Sequence, residues 1–312
     1  MKLKSFPEAK ILWANDQYFE SNDFPDLGLD QGLGDSLSTI RSSGQIPYTE
    51  ELDFGDWGEY SRPVGSRRAF YLHPLGREKP VIAVKGSEVL SPNLERVFEQ
   101  DRHDGFIRNR PWTRLENFVY REQKSPMALG VYEAMDEALK SQELQSRSLR
   151  TFGKLEEAPV PLLVLRVPDK ISQEYMSLVS KYMGPRALRI FEHHIDSEGL
   201  ATLIYQYPYL PLRVRFEETV KDGQSLTQRI DELDNLIEIV SRLLLVRTLP
   251  FGREDFGIGQ CIAPQNVTTK GGICDLGSLV TDFNTLGDNE VYSLLRAMGV
   301  VLSRTAIEMV FD

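Results

Sequence analysis

Apolar and polar positions divide the chain into a strand-bearing first half and a helix-bearing second half. From Arg67 the run RRAFYLHPLGREKPVIAVKG alternates and is rich in Val, Ile and aromatics. It predicts two strands joined by a turn over 75–80. Val131, Met135, Ala138 and Leu139 fall at helical spacing and predict a helix over 127–147, with Glu133 and Glu137 four apart and so on one face. The proline-flanked run VPLLVLRV predicts a buried strand over 160–167, and 172–183 follows as a helix. ALRIFEHHIDSEGLATLIYQY predicts a hairpin turning at 196–199. Ile230, Leu233, Leu236, Ile237, Val240 and Leu244 give 225–246 an apolar helical stripe, with Ser225 or Thr227 as its cap. A last helix over 288–311 starts at Asp288. Residues 20–66, rich in Gly, Asp, Ser and Pro, predict loops with room for one short helix. The polar, basic-aromatic stretch 86–125 gives no clear period.

Strands segregated from helices predict an α+β protein of two lobes, not a doubly wound sheet. The expected lobes are residues 1–168, strand-rich, and 169–312, helix-rich. A chain of 312 residues fits that division and needs no staples. With 41% hydrophobic and 26% charged residues it is globular. Its net charge of −10 disfavours nucleic acid and anionic membrane as partners, while leaving room for a local basic cleft. Two cysteines, Cys261 and Cys274, make neither a disulfide framework nor a zinc quartet. With no membrane-length apolar run and no signal-like start, the expected location is the cytoplasm.

Three patterns carry candidate chemistry. In VIAVKGSE, Lys85 ends an apolar strand before a glycine, where a fixed ammonium can pair with phosphate oxygens. A solvent-facing strand-end lysine is the plainer alternative. In PQNVTTKGGICDLGSL, Asn266 and Asp275 stand nine apart across a Gly271–Gly272 turn. A hairpin there brings an amide oxygen and a carboxylate together, hard ligands suited to Mg²⁺ alongside phosphate. A polar turn with an Asx contact explains the same residues. Arg166 closes an otherwise apolar strand and must meet an anion, either a ligand or a salt-bridge partner, or reach water. The order of lysine strand, glutamate helix, second strand, long helix and Asn…Asp-x-Gly is the one a kinase-like phosphate site requires.

With those motifs in view, the chain resembles a shortened member of the selenoprotein O family. Those kinase-like proteins transfer AMP from ATP to protein hydroxyls. AKILWANDQYF is similar to the family's N-terminal segment. VKGSEVLSPN resembles its LKGAGxTPYS, which makes Lys85 the phosphate-pairing lysine. VYEAMDEAL resembles its IREFLxSEAL helix, which makes Glu133 the partner of that lysine. LVLRVPD resembles its MLMRVAPS, and LRIFEHH its LRFGHFEHF, which makes Arg166 and Arg189 phosphate-binding. NVTTKGGICDLG matches the spacing of NMSILGLTLDYG, which makes Asn266 and Asp275 the metal ligands. Gly65 and Arg67 stand where the family has G-D-G-R.

The resemblance therefore implies a protein-kinase-like two-lobed fold with ATP and Mg²⁺ between the lobes. It also implies AMP transfer to a protein or peptide hydroxyl. Phosphoryl transfer to a small molecule or peptide and a non-catalytic nucleotide-binding module are the alternatives. The chain departs from the family's H-G-V-x-N-T-D-N, reading G-Q-C-I-A-P-Q-N, so Gln265 stands where the base would be. Glutamine accepts no proton at neutral pH. The family's C-terminal redox region has no counterpart. Other signals read as ordinary structure: His193–His194 on opposite faces of a strand, Cys261 and Cys274 as core residues, YQYPYLPL as packing. The basic stretch 102–121 reads as a substrate-side or lid segment.

Overall fold

The computed structural model describes residues 3–21, 37–49, 69–72, 81–107, 115–116, 119, 125, 127–152, 159–195 and 198–207. In chain order the elements are β1 (Leu3–Phe6), β2 (Lys10–Ala14), α1 (Asp16–Ser21), α2 (Leu37–Ser43), β3 (Ile46–Thr49), β4 (Ala69–Leu72) and β5 (Val81–Lys85). A single 3₁₀ turn, Glu88–Leu90, leads to α3 (Leu94–Ile107), α4 (Val131–Phe152), β6 (Val160–Arg166), α5 (Asp169–His194) and β7 (Ala201–Tyr207). The mixed content and antiparallel pairing make the described part α+β. By internal contacts the chain forms two compact units: residues 1–78, 82–138 and 161–206, and residues 79–81, 139–160 and 207–312. Nearly every described element belongs to the first.

That unit is built on a five-stranded sheet in the order β2-β6-β7-β5-β4. The expected β4–β5 hairpin is present and antiparallel, with Ala69 opposite Lys85 and Leu72 opposite Ile82. β2 runs antiparallel to β6, from Lys10 opposite Arg166 to Ala14 opposite Leu163, with a slip between Ile11 and Trp13. The proline-flanked apolar run is indeed a buried strand. Leu162, Leu163, Val164 and Leu165 have no exposed surface, so β6 is covered on both faces. Each such side chain contributes roughly 1.5–3 kcal/mol by burial. β1 and β3 form a separate two-stranded sheet.

The connection from β6 to β7 departs from the expected second hairpin. Residues 187–194 are helical and belong to α5. The helix is broken at Gly184, whose φ of 82° and ψ of 176° are not helical, and Pro185 follows. Proline lacks the N–H that a first helical turn leaves unused, so Gly-Pro ends one arm and starts another. The two arms fold back on each other. Tyr175 and Phe191 meet at 6.3 Å between ring centroids, although a straight helix would hold residues sixteen apart about 24 Å from one another. Phe98 of α3 packs against both Tyr175 and Tyr182. The helical hairpin returns the chain to its origin, and the Val167 N–H donates to the Leu200 carbonyl at 2.8 Å. β6 therefore ends where β7 begins.

The stretch left without a period, 86–125, includes the 3₁₀ turn and α3. Lys181 and Tyr182 of α5 clamp α3 through Glu95 at 2.6 and 3.1 Å, and Tyr182 also reaches Glu99 at 2.9 Å. Among the described residues within 20–66 are α2, a short helix of the kind allowed for, the strand β3, and the end of α1. Among the described residues no helix is long and apolar enough to cross a membrane.

Candidate functional site

Lys85 is the last residue of β5, and the chain must leave the strand immediately after it. Gly86 makes the turn at φ +83°, a left-handed conformation that costs a side-chain-bearing residue strain. Space alone would also demand glycine. A Cβ there would stand 2.6 Å from the Leu129 Cβ and 2.7 Å from the Ala201 carbonyl oxygen. The end of β5 is thus pressed against the start of β7 and the loop ahead of α4. That loop is held in place by the Ala201 N–H donating to the Leu129 carbonyl at 2.8 Å and the Val131 N–H donating to the Gly199 carbonyl at 3.1 Å. Met127, fully buried at φ 59°, adds a strained non-glycine residue to the same loop.

The Lys85 ammonium donates to Glu137 Oε2 of α4 at 2.6 Å. Both residues are buried, at 8% and 1% exposure. α4 turns Val131, Ala134, Glu137, Ala138 and Ser141 inward and exposes Tyr132 and Leu139 on its other side. Glu137 is therefore the one carboxylate on a stripe otherwise made of small and apolar residues. Taking two charges out of water is costly, and a hydrophobic pair in their place is often as stable or more so. The pair is thus weak evidence for stability. Glu133, the partner that the resemblance assigns, lies one turn earlier and is half-buried. Lys85 forms an ion pair with Glu137. The spacing of four put both glutamates on one face. Each glutamate is directly followed by a buried alanine, Ala134 or Ala138, so the sequence does not separate them.

Arg166 is the last residue of β6. The ends of β5 and β6 flank the start of β7, so Lys85 and Arg166 share one end of the sheet, with backbones about 10 Å apart by strand spacing. Arg166 Nη2 donates to Asp169 Oδ1 at 2.9 Å, with 34% of the arginine side chain and 71% of the aspartate side chain exposed. This pair is open where the lysine pair is shut. Arg189 lies on the second arm of α5 and is exposed, on a helix and not on the expected strand. His193 and His194 belong to the same arm.

Gly65, Arg67, Asn266 and Asp275, together with Gln265 and the two cysteines, lie outside the described residues. Among the described residues no group of three or more His, Cys, Asp or Glu side chains is placed to hold a metal ion. What the described site offers chemically is an ordered cation on a strand end, a carboxylate that fixes it, and a second cation at the same end of the sheet, two strands away.

Comparison with known proteins finds no matching family model, no matching curated protein and no matching solved structure.

Proposed function

We propose that the protein is an ATP- and Mg²⁺-dependent nucleotidyltransferase that transfers AMP to a hydroxyl of a protein or peptide, on a kinase-like two-lobed fold. The observation that carries this reading is the buried Lys85–Glu137 ion pair between a strand-end lysine and the next long helix. In kinase-type sites a strand lysine paired with a helix glutamate must be in place before phosphates are held. Lys85 would pair with phosphate oxygens as a point charge, and Glu137 would fix its position. Arg166, at the same end of the sheet, would neutralise further phosphate charge. A strand-end lysine, an arginine beside it and a glycine that brings the backbone close fit a polyphosphate. Asn266 and Asp275 would be the residues to hold Mg²⁺, which would offset the charge of the phosphates. In the transfer, the acceptor oxygen bonds to the α-phosphorus and pyrophosphate leaves.

Gln265 at the base position favours a second reading, a nucleotide-binding module without catalysis. Phosphoryl transfer to a small molecule or peptide shares the same residues. Intact-mass analysis of the protein and of hydroxyl-bearing peptides after incubation with Mg-ATP separates the three. The proposal expects a gain of one AMP unit. A gain of one phosphate unit gives the kinase reading, and no gain with ATP bound gives the binding module. Asp275→Asn is expected to abolish any gain. Undiminished labelling in that variant would remove Asp275 from the metal site.

A further inference from the structure

We infer that the Asp169 carboxylate is the resident occupant of an oxyanion seat on Arg166, and that a phosphate oxygen of the nucleotide takes its place on binding. This rests on the reading of Arg166 as a phosphate-binding arginine. The seat is defined by donors that have nothing to bond. Arg166 Nε is shut off from solvent with no hydrogen-bond partner among the described residues, and so is Ser172 Oγ. Ser172 as a whole is 9% exposed. Both atoms converge on Gly199, which is held at φ +87°. A Cβ on Gly199 would meet Ser172 Oγ at 3.6 Å and Arg166 Nε and Nη2 both at 3.9 Å. Glycine thus keeps a side chain out of the space beside the hydroxyl and that edge of the guanidinium.

That edge carries Nε–H and an Nη2–H side by side, the spacing that receives two oxygens of a carboxylate or phosphate. Asp169 takes only half of it, through Nη2. The Asp169 side chain is 71% exposed and begins α5, so returning it to water costs little. A phosphate group carries more charge than a carboxylate and can use Nε–H, Nη2–H and the serine hydroxyl together. It would also sit at the N-terminal end of α5, where the helix dipole favours an anion. Asp169 cannot remain on Nη2 while a ligand takes the whole edge. It therefore competes with the nucleotide and holds the arginine in place in its absence.

The test is calorimetric titration of the full chain with Mg-ATP, for the wild type, Arg166→Gln, Ser172→Ala and Asp169→Asn, with thermal melting to show that each variant is folded. Arg166→Gln is expected to weaken binding about tenfold or more, as loss of charge-assisted hydrogen bonds does. Ser172→Ala is expected to weaken it roughly threefold. Asp169→Asn is expected to tighten it roughly threefold, because a neutral amide competes less well for the guanidinium. If Arg166→Gln weakens binding while Asp169→Asn leaves it unchanged or weaker, Asp169 is not a displaced occupant and the inference fails alone. If the wild type takes up no Mg-ATP, or Arg166→Gln binds as the wild type does, the reading of Arg166 fails and the inference falls with it.

Discussion

Two ion pairs close the strands on either side of β7, at one end of the same sheet, and they differ in almost every respect. Lys85–Glu137 joins residues 52 apart in sequence, is shut away from water, and is bridged at 2.6 Å. Arg166–Asp169 joins residues three apart across the start of a helix and lies open, with the aspartate mostly in solvent. The first is fixed by the fold and expensive to take apart. The second is local, screened and exchangeable. On the proposed reading, the first is a cation whose position is set before ligand arrives, and the second a cation whose partner can be given up.

The sharpest way to break the contrast is to remove one carboxylate from each end. Glu137→Ala leaves the Lys85 ammonium buried without its ion-pair partner and is expected to cost about 3–5 kcal/mol. Asp169→Ala removes an exposed i,i+3 pair and is expected to cost about 1 kcal/mol or less. Urea denaturation midpoints at constant slope measure both. Glu133→Ala belongs with the mild class. A Glu133 loss as large as that of Glu137 would return the lysine's anchor to the position that the sequence resemblance chose.

Two of the left-handed glycines, Gly86 and Gly184, extend the contrast to the backbone. Gly86→Ala meets Leu129 and the Ala201 carbonyl well inside contact distance, so overpacking of about 1–3 kcal/mol adds to the conformational strain. Gly184→Ala has nothing within 4 Å and carries only the strain, about 1–2 kcal/mol. Equal melting temperatures for the two variants would show that the close approach beneath Lys85 is not rigid.

These elements also mark what the sequence disclosed. The β4–β5 hairpin and β6 were legible because two-residue alternation and a continuous apolar run are direct consequences of one-sided and two-sided burial. Lys85 and Arg166 were legible as the only cations closing those strands. The second arm of α5 was not. Leu188 and Ile190 alternate like a strand, and Gly184–Pro185 reads as a terminus. Only the Tyr175–Phe191 contact, a tertiary event, reveals that the proline restarts a helix. α3 was missed because its burial rests on few residues, Leu94, Val97 and Phe98, amid a charged sequence. In the sequence Glu133 and Glu137 look alike, each followed by an alanine, and only the depth of burial sets Glu137 apart.

The smallest expected effect is electrostatic and lies far from both pairs, where α5 clamps α3. The hydrogen bond from Lys181, then that from Tyr182, holds the Glu95 carboxyl below its ordinary value of 4.5. The hydrogen bond to Glu95 raises Lys181, and burial, first among its causes, raises Tyr182 above 10.0. A depressed carboxyl contributes stability present above its unfolded value and lost as pH falls through its folded value. Raised lysine and tyrosine groups contribute stability present below their unfolded values and lost as pH rises through the folded ones. Melting temperature is therefore expected to be flat at neutral pH, to fall below about pH 4.5 and to fall again above about pH 10. Glu95→Gln should flatten the acid limb. An acid limb of unchanged depth would place its origin elsewhere.

The central claim is that Lys85, fixed by Glu137, holds nucleotide phosphate. The direct measurement is calorimetric titration of Mg-ATP into the wild type and into the double variant Lys85→Met/Glu137→Leu. Replacing both charges by apolar side chains avoids an orphaned buried ion and keeps the fold close to wild-type stability. The account predicts Mg-dependent ATP binding by the wild type and its loss in a double variant that still melts cooperatively. Undiminished binding by the folded double variant, or no binding by the wild type, would contradict it.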